Sequence, residues 1–136
     1  MQVQQRLRHR AECFTAIRAH FARHFALEVD TPLLSDCSVT DPYMSAMQAK
    51  SPRDQSLGYL QTSPEYAMKK LLCQGSGDIY QLGKVFRADE NSPHHSNEFT
   101  LLEWYRLGIN EQALMDEVFS LINQVSGIKN RADISY

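Results

Sequence analysis

Two strand-like segments separated by a long polar loop constrain the fold of this 136-residue chain more than any other feature. Residues 78–87 and 98–106 are rich in apolar and aromatic side chains, and residues 88–97 between them are polar. The pattern predicts the two strongest strands of a sheet. Their connection is long for a hairpin, which makes it a candidate functional loop.

The second of these strands carries a carboxylate where a charge is unfavourable. Because strand side chains alternate between faces, both faces of this segment carry bulky apolar groups, with Phe99, Leu101, Glu103 and Tyr105 on one and Thr100, Leu102 and Trp104 on the other. We expect the strand to be covered on both sides, and an ionised Glu103 there requires a paired charge. Its partner is either an Arg or Lys of the protein or a cationic ligand.

Arg87 stands at the end of the first strand, beside the polar loop. A guanidinium has a planar fork that suits carboxylate or phosphate oxygens, so an arginine beside a long loop is a candidate for binding an anionic ligand. A surface arginine without a ligand is the alternative that the sequence leaves open.

The remaining segments predict a mixed α+β fold. A helix over residues 3–25 follows from an apolar stripe, and a short strand over 26–30 ends at Thr31-Pro32. Strands are predicted over 43–50 and 57–61, and a second helix begins at Ser63-Pro64-Glu65 with the serine as its cap and ends near 75–77. A last helix begins after Asn110 and stops at Gly127. The stripe of the first helix is Leu7, Ala11, Phe14, Ile17, Phe21 and Phe25.

Composition excludes several classes of function. The net charge is −2 and the early arginines form no long basic stripe, so a solvated helix face is a better interpretation of them than an RNA contact. No apolar run has the length of a membrane span, and no signal peptide is visible.

Three widely spaced cysteines predict free, mostly buried thiols. Gly75-Ser-Gly77 and Gly83-Lys84 lack the spacing of a phosphate-binding P-loop, and His94-His95 lacks the helical i, i+4 spacing of a metal-binding pair.

Two segments resemble signature motifs of class II aminoacyl-tRNA synthetases of the lysyl type. Phe25-Ala-Leu-Glu-Val-Asp-Thr-Pro32 with its preceding helix resembles motif 1, about residues 14–32, and Gly83-Lys-Val-Phe-Arg87 through Glu98-Phe-Thr-Leu-Leu-Glu-Trp-Tyr105 resembles motif 2, about residues 83–106. Thr62-Ser-Pro-Glu-Tyr66 is also similar to the lysyl type. Its serine at position 63 is similar to the paralogues that attach β-lysine to elongation factor P.

The resemblance implies a nucleotide site and a catalytic residue. Arg87 is expected to hold the α-phosphate of ATP and the substrate carboxylate, which makes it the catalytic residue. Asp89 or Glu90 is expected to contact the adenosine part, His95 to reach ATP from the loop, and Phe99 to stack on adenine.

The resemblance also implies a site for lysine or β-lysine. Glu65 is expected to hold one substrate ammonium, while Glu103 and Tyr105 hold the other, and Ser63 lies beside them. A cationic ligand would then be the partner that Glu103 requires.

By the same resemblance, the chain is expected to have the class II antiparallel sheet flanked by helices, limited to the N-terminal part with motifs 1 and 2. Its expected activity is the ATP-dependent formation of a lysyl or β-lysyl adenylate and transfer to a lysine of elongation factor P, in the cytoplasm, by a homodimer formed through motif 1. A fragment of a lysyl-tRNA synthetase and a noncatalytic dimerising or regulatory module are the alternatives.

Two further expectations concern the extent of the chain. It begins at the motif 1 helix, without an anticodon-binding barrel, which disfavours tRNA as a partner. It ends before the family's motif 3 and its Mg²⁺ ligands, so no metal ligand is expected in this chain and the isolated 136 residues are expected to be inactive.

Overall fold

The computed structural model describes residues 2–88 and 92–132, which divide into two units. Residues 2–27 and 106–132 form the first unit, and residues 28–105 form the second. In chain order the elements are α1 (Val3–Arg23), β1 (Leu27–Glu28), β2 (Leu34–Ser35), β3 (Gln48–Lys50), β4 (Ser56–Leu60), α2 (Glu65–Cys73), β5 (Ile79–Phe86), β6 (Glu98–Tyr105) and α3 (Glu111–Ser126). Among the described residues, none of the helices combines the length and the apolar character that a membrane span requires.

The first unit consists of α1 and α3, joined by apolar and polar contacts. Phe21 and Leu121 are buried. Gln124 of α3 links the helices, because its Oε1 accepts a hydrogen bond from Arg23 Nη2 at 2.5 Å and its Nε2 donates to the Ala16 carbonyl at 3.0 Å. Both predicted ends of α3 are confirmed. Asn110 Oδ1 accepts a hydrogen bond from the Ala113 amide at 2.9 Å, and Gly127 ends the helix in the left-handed conformation with φ 73°.

A polar cluster lies between these two helices. His20 of α1, only 1% exposed, and His24 directly after α1 face Glu117 of α3. The Arg106 guanidinium lies 3.2 Å from Glu117 through Nε. Arg106 also donates from Nη1 to the His24 carbonyl at 2.9 Å. Burial lowers the pKa of His20, and the neighbouring His24 lowers it further. The ring of His20 is therefore neutral at pH 7.

In the second unit, β5 and β6 form the antiparallel pair that the sequence predicts. The register pairs Val85 with Phe99 and Gln81 with Glu103. The sheet order is β1-β5-β6, with the Val29 amide donating to the Tyr80 carbonyl at 2.8 Å. In the described part of the chain, the side chains of β6 are half-buried or exposed, so the expected covering of both of its faces is wrong.

A second three-stranded sheet in this unit has the order β2-β4-β3 and is antiparallel. Gly58 of β4 has φ 125°, and a Cβ there would lie 2.5 Å from the Ser35 carbonyl oxygen. Only glycine fits this close approach of β4 to β2. Gln61, directly after β4, connects the two sheets, since its carbonyl accepts from the Phe86 amide at 2.9 Å and its Nε2 donates to the Lys84 carbonyl at 3.1 Å.

Several local predictions are corrected by the structure. Phe25 lies beyond α1 with φ 56° and is 90% exposed, because the chain leaves the helix at His24. The strand predicted over 43–50 is limited to β3, since the Asp41 carboxylate accepts a hydrogen bond from the Tyr43 amide and holds a turn there.

The thiols and the start of α2 also differ from the predictions. All three cysteines are free, as predicted, but Cys37 and Cys73 are exposed because they follow β2 and end α2. α2 begins at Glu65 with Pro64 at its N-cap, so Ser63 is not the capping residue. The predicted α+β fold with antiparallel sheets and helices is confirmed.

Candidate substrate site

The half-buried carboxylate of Glu103 is the centre of the candidate site. Strand alternation places Tyr105 on the same face, and its hydroxyl donates to Glu103 Oε1 at 2.8 Å. Burial raises the pKa of Glu103; the Tyr105 hydrogen bond opposes this, and the charge of Glu65 adds to it. Burial and Glu103 together raise the pKa of the Tyr105 hydroxyl. Within residues 2–88 and 92–132, no Lys or Arg makes an ion pair with Glu103.

Glu65 brings a second carboxylate to the site from the first turn of α2. Its charge acts on Glu103, which places the two acidic groups near each other. Lys69, one helical turn later, lies 2.5 Å from Glu65 Oε1, and this contact raises the pKa of Lys69. Ser63 supports the start of the helix, since its hydroxyl accepts a hydrogen bond from the Glu65 amide at 3.3 Å. From the described residues, Glu65, Glu103 and Lys69 therefore bring two carboxylates and one ammonium to this part of the site.

Arg87 follows β5 at the other end of the same face. Its amide donates to the Asn97 carbonyl at 2.9 Å, which extends the pairing of β5 with β6 by one residue. The side chain donates from Nε to the Thr62 carbonyl at 3.2 Å, and its guanidinium carbon lies 5.1 Å from the centre of the Phe99 ring. These contacts fix the guanidinium beside an aromatic ring, and its charge acts on Glu103.

A cavity of about 480 Å³ opens beside the acidic groups. Ser63 and Glu65 belong to both the cavity and the site, whereas Arg87, Phe99, Glu103 and Tyr105 do not line the cavity. Its other walls are residues 35–39 and the ends of β2 and β4 with Tyr66 and Lys70 of α2. The volume is in the range of small-molecule sites.

The structure brings together five of the residues proposed from the sequence: Glu65, Arg87, Phe99, Glu103 and Tyr105. His95 does not join them, because its contacts lie within the loop: Nδ1 is 2.8 Å from the Ser92 hydroxyl, and the two residues form an isolated β-bridge. Asp89 and Glu90 lie outside the described residues.

Two residues of the site were missed by the sequence interpretation. Lys69 has a sequence signal, since Glu65 and Lys69 have the i, i+4 spacing of a helical ion pair. Thr62 holds Arg87 through its backbone carbonyl, and no side-chain pattern reports such a contact.

Comparison with known proteins identifies the family to which this chain belongs. Residues 1–133 match the family described as tRNA synthetases class II (D, K and N). The chain is 46% identical over 125 residues to a protein from Vibrio campbellii and 44% identical over 131 residues to one from Yersinia enterocolitica, both named elongation factor P--(R)-beta-lysine ligase. The alignments cover 89% and 93% of this chain but only 39% and 40% of the relatives, so the chain spans about 40% of their length. The chain belongs to the class II tRNA synthetase family of the D, K and N type.

Proposed function

We propose that the chain is the part of an ATP-dependent ligase that binds lysine or β-lysine for transfer to elongation factor P. The observation that carries the proposal is the half-buried carboxylate of Glu103, which accepts a hydrogen bond from Tyr105 at 2.8 Å and is affected by the charges of Glu65 and Arg87. The names of relatives that are 44–46% identical support the acceptor protein and the β-lysine substrate.

The proposed reaction has two steps. A carboxylate oxygen of the amino acid attacks the α-phosphorus of ATP, and the bond to the β-phosphate oxygen breaks with release of pyrophosphate. The amine of an acceptor lysine then attacks the adenylate carbonyl, an amide bond forms, AMP leaves, and the amine proton passes to solvent. Negative charge increases at the α-phosphate oxygens in the first step, where a fixed guanidinium stabilises it.

The two carboxylates suit a substrate with two ammonium groups. Glu103 is half-buried, has a raised pKa and accepts a hydrogen bond from Tyr105, so a ligand ammonium would supply the charge that burial leaves unbalanced. Glu65 is proposed to bind the other ammonium, with Ser63 beside it. A monoamine can satisfy only one of the two carboxylates.

Arg87 and Phe99 are proposed to form the nucleotide end of the site. The Thr62 carbonyl holds the guanidinium through Nε, which orients the side chain for an α-phosphate and a substrate carboxylate. Phe99 would stack on adenine. Asp89 or Glu90 and His95 remain proposed ATP contacts, and Mg²⁺ accompanies ATP without an assigned ligand in the described part of this chain.

Amino-acid-dependent exchange between ATP and pyrophosphate tests the proposed function. In a protein that carries this segment and matches the length of its relatives, we expect exchange with lysine or β-lysine and transfer to elongation factor P, but none to tRNA. The 136-residue chain alone is expected to bind without turnover. Exchange that depends on another amino acid, or transfer to tRNA alone, would overturn the proposal.

A homodimer formed through residues 14–32, in the cytoplasm, is the proposed state of the protein. Phe25 is 90% exposed, so the side chain is available for a contact between subunits. We expect Phe25→Asn to convert a dimer into a folded monomer, because it removes exposed apolar surface and asparagine tolerates the positive φ.

Sedimentation velocity at micromolar concentration measures this change. Tyr43→Asn is the matched control, since Tyr43 is 98% exposed and lies outside residues 14–32. A wild-type monomer, or a dimer that persists in Phe25→Asn, would contradict the proposed interface.

A further inference from the structure

The cluster of His20, His24 and Glu117 in the first unit has the ligand types of a transition-metal site. One ligand atom from each side chain lies within 4.8 Å of the other two. His20 Nε2 is 3.8 Å and His24 Nδ1 is 4.0 Å from Glu117 Oε1. Tetrahedral Zn²⁺ with bonds of about 2.0–2.2 Å separates its ligand atoms by about 3.3–3.6 Å. Small side-chain rotations would therefore bring the three atoms to the distances at which they can bind one ion.

Among residues 2–88 and 92–132, the three facing atoms have no other hydrogen-bond partner. His20 Nε2, His24 Nδ1 and Glu117 Oε1 are buried without one, and His20 and Glu117 are each more than nine-tenths buried. Buried polar atoms without partners are costly in a folded protein. Since all three can donate a lone pair to a cation, a bound metal would satisfy them together.

The two imidazoles lie side by side, and a charged neighbour orients the carboxylate. The ring centres of His20 and His24 are 4.4 Å apart. Arg106 lies 3.2 Å from Glu117 Oε2, which leaves Oε1 turned towards the histidines.

Access to the cluster comes from a cavity of about 340 Å³ lined by His24, Arg106, Asp116 and Glu117 among others. His24 is about one-third exposed at its side chain. A water molecule entering this cavity could complete a fourth coordination position. Two imidazoles and one carboxylate select Zn²⁺ over Mg²⁺ or Ca²⁺, which prefer oxygen ligands.

We propose that His20, His24 and Glu117 form a zinc site that joins α1 to α3. Its ligands come from both helices of the first unit, so the metal stabilises their packing. The site involves none of the residues proposed to bind ATP or lysine.

Metal binding to the untagged 136-residue chain tests the proposal, with Co²⁺ as a spectroscopic probe and Zn²⁺ as competitor. We expect four-coordinate Co²⁺ bands in the visible spectrum, their loss on adding Zn²⁺, and a melting temperature that rises with Zn²⁺ but not with Mg²⁺. His24→Gln and Glu117→Gln should each weaken binding about 100-fold, since even indirect supports of a metal site contribute about 10–100-fold.

His9→Ala is the matched control. His9 is an exposed histidine of the same helix, 3.7 Å from the Cys13 sulfur, and its loss should leave affinity unchanged. If Glu117→Gln does not fold by circular dichroism, His24→Gln decides the question, because the partly exposed His24 is easier to replace. Absence of the Co²⁺ bands, equal affinity in wild type and His24→Gln, or lost affinity in His9→Ala would overturn the site.

Discussion

Replacing Arg87 with lysine is expected to lower the rate of adenylate formation by about 10²–10³-fold while the fold remains intact. Lysine keeps the positive charge but lacks the planar fork that can bind two oxygens at once. It also lacks the Nε hydrogen that holds the side chain on the Thr62 carbonyl. The measurement is lysine- or β-lysine-dependent pyrophosphate exchange in the full-length protein that carries this segment.

Arg53→Lys is the matched control, because Arg53 lies exposed in the turn between β3 and β4. It should exchange at the wild-type rate. Equal rates for Arg87→Lys and wild type would remove Arg87 from the catalytic role. A loss of rate accompanied by loss of the circular dichroism signal would show a structural role instead.

Replacing Glu103 with glutamine is expected to weaken lysine or β-lysine binding by about 10–150-fold and to stabilise the ligand-free protein at neutral pH. The first effect follows because a hydrogen bond to a charged group contributes about 1.5–3 kcal/mol, and every 1.4 kcal/mol is about tenfold in affinity. Glutamine retains an oxygen that can accept from Tyr105 but has no charge for the ligand ammonium.

The second effect follows from the direction of the pKa shift. Burial raises the pKa of Glu103 in the folded protein. The stability linked to this group is therefore present below the pKa of the unfolded chain and is lost as pH rises through the folded pKa. Glutamine does not ionise, so the variant keeps that stability at neutral pH. Urea unfolding of both proteins between mildly acidic and neutral pH measures the difference.

Calorimetry in buffers of different ionisation enthalpy independently measures the protons that Glu103 releases when a ligand binds. At mildly acidic pH, the wild type should release protons when an ammonium ligand binds, because the ligand favours the ionised carboxylate. Glu103→Gln should release fewer. Glu98→Gln is the control, since Glu98 lies on the same strand and pairs with Lys84 at 2.6 Å. Identical affinity in wild type and Glu103→Gln would contradict the binding role.

Local signals allowed much of the fold to be predicted. The ends of α3 follow from Asn110 and Gly127, and the apolar and aromatic side chains of 78–87 and 98–106 predicted β5 and β6. β2 was missed because its two residues become a strand only by pairing with β4. The exposed position of Phe25 was missed because helical spacing does not show where the chain leaves the helix.

The candidate site, like the fold, was predicted only in part from the sequence. The apolar side chains around Glu103 in the sequence led us to expect a cation beside it, but they cannot show that Glu65 of α2 lies near the same carboxylate. The roles of Arg87 and Phe99 came from the family resemblance, and their closeness at 5.1 Å depends on the pairing of β5 with β6. The spacing of His20 and His24 is visible in the sequence, but their partner Glu117 lies on a distant helix. Contacts of this kind depend on tertiary structure, which local patterns do not encode.

At the proposed substrate site, the contact between Lys69 and Glu65 means that an incoming ammonium would have to displace the ammonium of Lys69. A ligand with a single amine would replace an existing interaction at Glu65 and gain little there. A ligand that also reached Glu103 would gain at a carboxylate that has no ion pair among the described residues. Under the proposed function, Lys69 would therefore favour diamines whose two charges have the spacing of these carboxylates over monoamines.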